Sequence, residues 1–289
     1  MYSIAIKEEQ HESYILADES AQSRAEIVPE RGGILLSWRI QGQDIFYLDA
    51  ERYKNPELSV RGGNPVLFPI CGNVVDDTYT VQGQTYNLKQ HGFGRNLPWE
   101  VSDRATDGDA RLTLTLRANE QTLAAYPFEF EAAYTYILSG KTIRIEQRHT
   151  NRSEMPMPFA TGFHPYFLIP DKSQVDVAIP ANQYGTKGVP KMSPFDGSFD
   201  YSQEEIDIFL RPLQAREASL SDRRRKLKIS VRYGAAYSTL VFWTLQGKDF
   251  ICLEPWSAPR NALNTGTDTI EVAPGATHET FVEYAVSDL

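Results

Sequence analysis

The chain reads as an all-β protein, a large antiparallel β-sandwich or barrel, on three observations. Apolar and polar residues alternate over short segments along most of its length, the period of a half-buried strand. Turns built on glycine, asparagine and proline part those segments at hairpin spacing. Helical patterning is confined to two short stretches, 119–125 and 203–206. Many short strands separated in this way indicate a sandwich or a barrel.

Taken in order, segments 13–16, 24–28 and 34–40 read as strands, with Gly32-Gly33 and Gln41-Gly42-Gln43-Asp44 as turns. Segment 79–88 reads as a hairpin about Gln82-Gly83. In 110–116, Leu112, Leu114 and Leu116 alternate with Thr113 and Thr115, a strand with one face buried. Segments 128–138 and 142–150 are long strands joined by Ser139-Gly140-Lys141. Segments 175–179, 227–233, 240–244, 250–254 and 277–286 continue the pattern. The stretch 119–125 has Asn119 as a helix cap and Pro127 as a stop. No change of composition marks a linker and no repeat is visible, so residues 1–289 read as a single domain.

The bulk properties narrow the function. A formal net charge of −9 argues against nucleic acid, whose binding needs a cationic footprint. No run of 18 apolar residues is present, so no membrane span is expected. The start lacks a basic region followed by an apolar core, so no secretory signal is expected. Cys71 and Cys252 both lie in apolar surroundings; free buried thiols point to a reducing compartment, the cytoplasm. The run Arg223-Arg224-Arg225-Lys226 lies between two strands and reads as a solvated turn.

The most informative stretch is Cys252-Leu253-Glu254-Pro255-Trp256. It ends an apolar strand with a carboxylate, whose burial costs several kcal/mol unless it gains partners. Pro255 is expected to end the ladder, and Trp256 to present a flat face beside the carboxylate. Glu254 is thus a candidate general base at the mouth of a β-structure; the alternative is an exposed side chain bonded to a turn. Among five histidines, His164 lies in Thr161-Gly162-Phe163-His164-Pro165-Tyr166-Phe167, and His91 opens His91-Gly92-Phe93-Gly94-Arg95. The glycines of the second stretch let backbone approach a ligand closely, and Arg95 supplies a cation. His11, His149 and His278 read as structural. Arg61, in the Gly/Pro-rich loop 60–73, offers a fork of donors for an anion or a row of hydroxyls, unless it pairs with Glu57. Asp207 is one acid in an acidic patch. No metal motif, phosphate loop, dinucleotide fingerprint or nucleophile elbow is present, so no metal and no cofactor is expected. A two-histidine, one-carboxylate site from His91, His164 and a carboxylate has no support in spacing. What remains is acid/base work by histidine and carboxylate on a neutral polar ligand.

Together these stretches resemble the aldose 1-epimerase (galactose mutarotase-like) family. The resemblance rests on Gly72-Asn73, the 79–86 hairpin, His91-Gly92-Phe93-Gly94-Arg95, Gly162-Phe163-His164-Pro165-Tyr166-Phe167, Cys252-Leu253-Glu254-Pro255-Trp256 and Ala273-Pro274-Gly275-Ala276-Thr277. It implies a large antiparallel β-sandwich with a carbohydrate cleft, in a monomer or homodimer that takes a small sugar or sugar phosphate. It implies that His164 is the general acid and Glu254 the general base. His91, Asn73 and Asp207 would orient sugar hydroxyls, and Trp256, Phe163 and Tyr166 would stack on its C–H faces. Two departures bear on the substrate. The family's Asn-Arg pair is Asn73-Val74 here. In addition, Arg61-Gly62-Gly63 and Arg95 look like the branch acting on hexose 6-phosphates, in which the arginine of the Arg-Gly-Gly motif holds phosphate. A non-catalytic sugar-binding protein, and a glycosidase using Asp207 and Glu254, are the other readings; the second requires a fixed carboxylate separation.

Overall fold

The fold was analysed in a computed structural model, which describes every residue except 189 and 190. It is built from antiparallel sheets. One eight-stranded sheet runs in the order Val175–Ala178, Glu217–Asp222, Leu227–Tyr233, Thr277–Asp288, Thr142–Asn151, Phe130–Ser139, Ala110–Arg117 and Glu100–Ala105. A second runs from Ser193–Pro194 through Gln183–Thr186, Glu205–Leu210, Thr239–Leu245 and Phe250–Trp256 to Gly162–Phe163 and Val66–Leu67, with Tyr166–Leu168 also paired to Phe250–Trp256. A five-stranded N-terminal sheet orders Tyr2–Glu8, Glu12–Asp18, Ser23–Val28, Ile34–Ile40 and Gln43–Asp44 as a meander. One apolar cluster joins all three sheets, with members such as Leu16, Trp38, Tyr134, Ile145, Leu253 and Val282. Among the described residues no helix is long and apolar enough to cross a membrane.

The alternation read in the sequence explains why these segments are strands. In Ala110–Arg117 the three leucines are buried and face the core; Thr113 faces the other way and meets Thr135 across the ladder at 2.9 Å. In Phe130–Ser139 the burial pattern alternates along its length. The helix Glu120–Ala125 carries a capping box between Asn119 and Thr122, which satisfies two of its orphan amides.

The second short helix does not form. Residues 205–210 are the strand Glu205–Leu210, because Ile206, Ile208 and Leu210 recur with period two and are buried in the core. The Arg223–Lys226 run is a surface turn: Arg223 pairs with Asp176 and Arg225 with Asp222.

Candidate active site

The site grows from the two-residue period of the second sheet. Ile251 and Leu253 point into the core, as do Leu240 and Phe242 on the neighbouring strand. The residues between them therefore point the opposite way: Cys252, Glu254 and Trp256 on one strand, Val241 and Trp243 on the next, Glu205 and Asp207 beyond it. Glu205, Asp207, Val241, Trp243, Glu254 and Trp256 all line one cleft of about 410 Å³.

Pro255 does not end the ladder. The strand continues to Trp256, with Pro255 paired opposite Leu240. On its other side the partner strand is interrupted. Register holds at Tyr166↔Cys252 and again at Gly162↔Trp256, and between them His164 and Pro165 belong to no strand. A proline has no amide for a ladder, and here it stands where the ladder is broken. The same register places His164 directly across from Glu254. Its Nε2 lies 3.4 Å from the Glu254 Oε1.

Glu254 is not exposed at a strand end: it is 1% accessible. Its Oε2 accepts from the indole Nε1 of Trp256 at 3.1 Å. Burial, and then the nearby Asp207 carboxylate, push its carboxyl well above the usual range, while the Trp256 bond, Arg260 and Arg95 act the other way. Burial lowers His164 to about 3, and the Arg95 and Arg260 cations add to this. The imidazole stacks on Tyr166, with centroids 4.8 Å apart, and meets Trp243 and His91 edge-on.

His91 is held by backbone. Its Nδ1 accepts from the Gly72 amide at 3.0 Å, which leaves the hydrogen of the neutral ring on Nε2. Burial keeps this ring neutral, well below the ordinary histidine range, and the Gln90 side-chain amide lies 3.2 Å from its Nε2. In that tautomer the Nε2 hydrogen leaves His91 no free lone pair for a metal. The metal-type donors that do converge are His164, Cys252 and Glu254, with ligand atoms within 4.8 Å of one another. Burial drives the Cys252 thiol far up, away from the thiolate that metals bind.

Arg61 and Arg95 both line the cleft. Arg95 donates to the Gln90 carbonyl at 3.3 Å, and its Nε is buried without a partner. Among the described residues no ion pair joins Arg61 to Glu57; Glu57 lines an adjoining cavity that shares Arg95. Asp207 reaches the cleft, with both carboxylate oxygens accepting from Arg260, at 3.1 and 3.0 Å. Asp207 is thus an ion-pair partner of Arg260 in the cleft.

Three expectations are corrected. Asn73 is absent from the lining, and its amide donates to the Val74 carbonyl at 3.2 Å. Phe163 points into the core, fully buried. Trp256 offers no open face: the Arg260 guanidinium sits over its ring, 5.2 Å from the centroid, and its contribution is the indole N–H. Trp243 is the partly exposed aromatic of the cleft. Sequence reasoning missed Arg260, Gln90, Lys187 and Trp243, all on the lining. Period two from Glu254 across a hairpin pointed to Trp243; nothing local pointed to Arg260.

The aldose 1-epimerase family model matches residues 14–285. The chain belongs to the aldose 1-epimerase family. Among solved structures it is similar to the Slr1438 protein of Synechocystis sp. PCC 6803, at 44% identity with all of both chains covered and a TM-score of 0.95. A galactose mutarotase-like protein of Clostridium acetobutylicum shares the fold at 18% identity and a TM-score of 0.86, covering 100% of this chain and 99% of that one. In sequence it is 28% identical to the chromosomal LacX protein of Lactococcus lactis over 71% of this chain and 77% of LacX. It is 30% identical to an Escherichia coli protein provisionally named glucose-6-phosphate 1-epimerase, over 51% of this chain and 46% of that protein. The galactose mutarotase-like sandwich implied by the motifs of this aldose epimerase family member is the observed architecture.

Proposed function

We propose that this family member interconverts the α and β anomers of an aldohexose, with Glu254 as general base and His164 as general acid. The observation that carries this reading is the 3.4 Å approach of His164 Nε2 to Glu254 Oε1 on the floor of a sugar-sized cleft.

Ring opening moves one proton net: O1 loses one and the ring oxygen gains one. Burial disfavours both the imidazolium and the carboxylate, so the pair retains one proton between them. With that proton on His164, the two groups carry opposite charges at close range, which offsets much of the desolvation each suffers. Glu254 takes the proton from the C1 hydroxyl and His164 delivers its proton to the ring oxygen as the C1–O5 bond breaks. The aldehyde then turns about C1–C2, the ring closes on the other face, and the two roles reverse. Each positioned proton transfer contributes roughly 10²–10⁴-fold. His91 donates from Nε2 to a substrate oxygen, and Trp243 offers a flat wall.

A hexose 6-phosphate is the second reading, and one observation favours it. In a chain of net charge −9, the cleft gathers Arg61, Arg95, Lys187 and Arg260, and Arg95 keeps a buried donor without a partner. A phosphate monoester matches such a fork of donors. The resemblance to the E. coli protein supports the same reading.

The test is anomer exchange by NMR magnetisation transfer or polarimetry on glucose, galactose and glucose 6-phosphate. Acceleration of a free hexose supports the first reading, and acceleration of the phosphate ester alone supports the second. Binding without acceleration of any of them would make the protein a sugar-binding module.

A further inference from the structure

The cleft contains an ion pair that the acid/base chemistry does not itself require. Arg260 follows the strand Phe250–Trp256, and its segment is tied down on both sides. The Ser257 amide donates to the Thr161 carbonyl, the Asn261 amide donates to the Asn73 carbonyl, and the Asn261 side chain accepts from the Val75 amide. Its aliphatic stem crosses Gly72 so closely that a Cβ there would stand 2.5 Å from the Arg260 Cγ. The guanidinium lies over Trp256, the residue whose indole N–H donates to Glu254. Nη2 alone reaches both oxygens of Asp207. Asp207 itself stands in register with Trp243, which in turn pairs with Cys252. The pair thus spans the cleft rim from one strand to the far end of another, and both residues line the space a ligand would occupy.

We infer that Arg260 and Asp207 act as one unit that presents a donor beside an acceptor to a single sugar hydroxyl and balances opposite charges next to Glu254, so that Arg260 is a positioning and specificity-determining residue. A hydroxyl both donates and accepts, and a fixed cation–anion edge satisfies both of its capacities at once. A substrate lacking that hydroxyl leaves the edge desolvated and unpaired, which is the strong form of discrimination. The charge balance has a definite sense. Asp207 favours the protonated carboxyl of Glu254, and Arg260 favours the carboxylate. The other groups facing Glu254 are His164, Tyr166, His91, Arg95, Arg61, Lys187 and Glu205, with Cys252 on its own strand. Of these, His164 and His91 also feel the Arg260 cation, which lowers both, so the pair acts on Glu254 directly and through the imidazole beside it.

The inference rests on the proposed anomer exchange for its specificity arm only. The decisive measurement needs no substrate: the protonated-carboxyl infrared band of Glu254, assigned by its loss in Glu254→Gln, is titrated in the free protein. Arg260→Ala moves the midpoint to higher pH, Asp207→Asn moves it to lower pH, and the double variant returns it close to the parent. Arg260→Lys retains most of the parental position, and Arg260→Gln replaces Arg260→Ala if the latter fails to fold. Midpoints that stay in place, or that move in one direction for both single variants, overturn the inference. On whichever hexose the parent accepts, Arg260→Ala raises KM roughly 10- to 100-fold, as expected for loss of a charge-assisted hydrogen bond; Arg260→Lys recovers part of that loss. If the parent accelerates no anomer exchange, the proposed function fails, while the infrared result still decides the role of Arg260.

Discussion

His164 and Glu254 face each other across an interrupted ladder, Nε2 to Oε1 at 3.4 Å, one 13% and the other 1% accessible. The break that brings them together lies between Gly162–Phe163 and Tyr166–Leu168, opposite Leu253 and Glu254.

Glu254→Gln keeps the shape of the side chain and an oxygen for the Trp256 N–H, so the fold is retained. Catalysed anomer exchange falls by at least 10²-fold, within the range for loss of one general base. Polarimetry on the purified variant checks this, with His164→Asn expected to behave alike. A rate within threefold of the parent would remove Glu254 as the base.

The pH dependence of kcat/KM follows from the pair holding one proton. Below the lowered imidazole value of about 3 both members are protonated and no base is left. Above the raised carboxyl value the shared proton is gone and no acid is left. The profile is therefore a broad plateau flanked by two limbs that belong to the pair. The acid limb lies below the ordinary range of free histidine. A limb near pH 6.5 that vanishes in His164→Asn would contradict this.

Arg95→Ala and Arg61→Ala separate the two substrate readings. If the phosphate ester is the substrate, each variant raises KM for glucose 6-phosphate roughly 10- to 100-fold, the scale of a charged hydrogen bond, and changes KM for glucose by less than threefold. Equal effects on both sugars would assign these arginines to the hexose ring.

Acid stability tests the buried histidine away from the site. His149 is fully enclosed, with Nε2 3.1 Å from the Tyr134 hydroxyl, and burial lowers it to about 3. The unfolded chain binds its proton near pH 6.5, whereas the folded chain does so only near pH 3. Stability from keeping this ring neutral is therefore present above pH 6.5 and is lost progressively down to about pH 3. Across that window it contributes a slope of about 1.4 kcal/mol per pH unit. Urea unfolding of His149→Gln at a series of pH values should show a flatter acid decline by up to that amount. An unchanged slope would mean that His149 titrates normally.

Much of the architecture is legible in residue order because strand signals are local. Leu112, Leu114 and Leu116 reveal their face without reference to the rest of the chain, and Asn119 announces its helix by its own side chain. Strands such as Tyr2–Glu8 and Glu217–Asp222 lie outside that reading. Tyr2–Glu8 pairs with the next strand, Glu12–Asp18, whereas Glu217–Asp222 pairs both with its neighbour Leu227–Tyr233 and with the distant Val175–Ala178.

The residue types of the candidate site were legible for a related reason. A glutamate in an apolar strand and a histidine in an aromatic Gly/Pro setting each carry a desolvation cost visible in their surroundings. From sequence alone came the sandwich, the two ionisable groups and the cationic loops. Only tertiary structure decided that Pro255 continues its strand, that Asn73 and Phe163 stand outside the cleft, and that Arg260 holds Asp207. Those outcomes depend on long-range register and on which strand is interrupted beside which. Such relations are set by the packing of distant segments and leave no mark on the residues next to them in the chain.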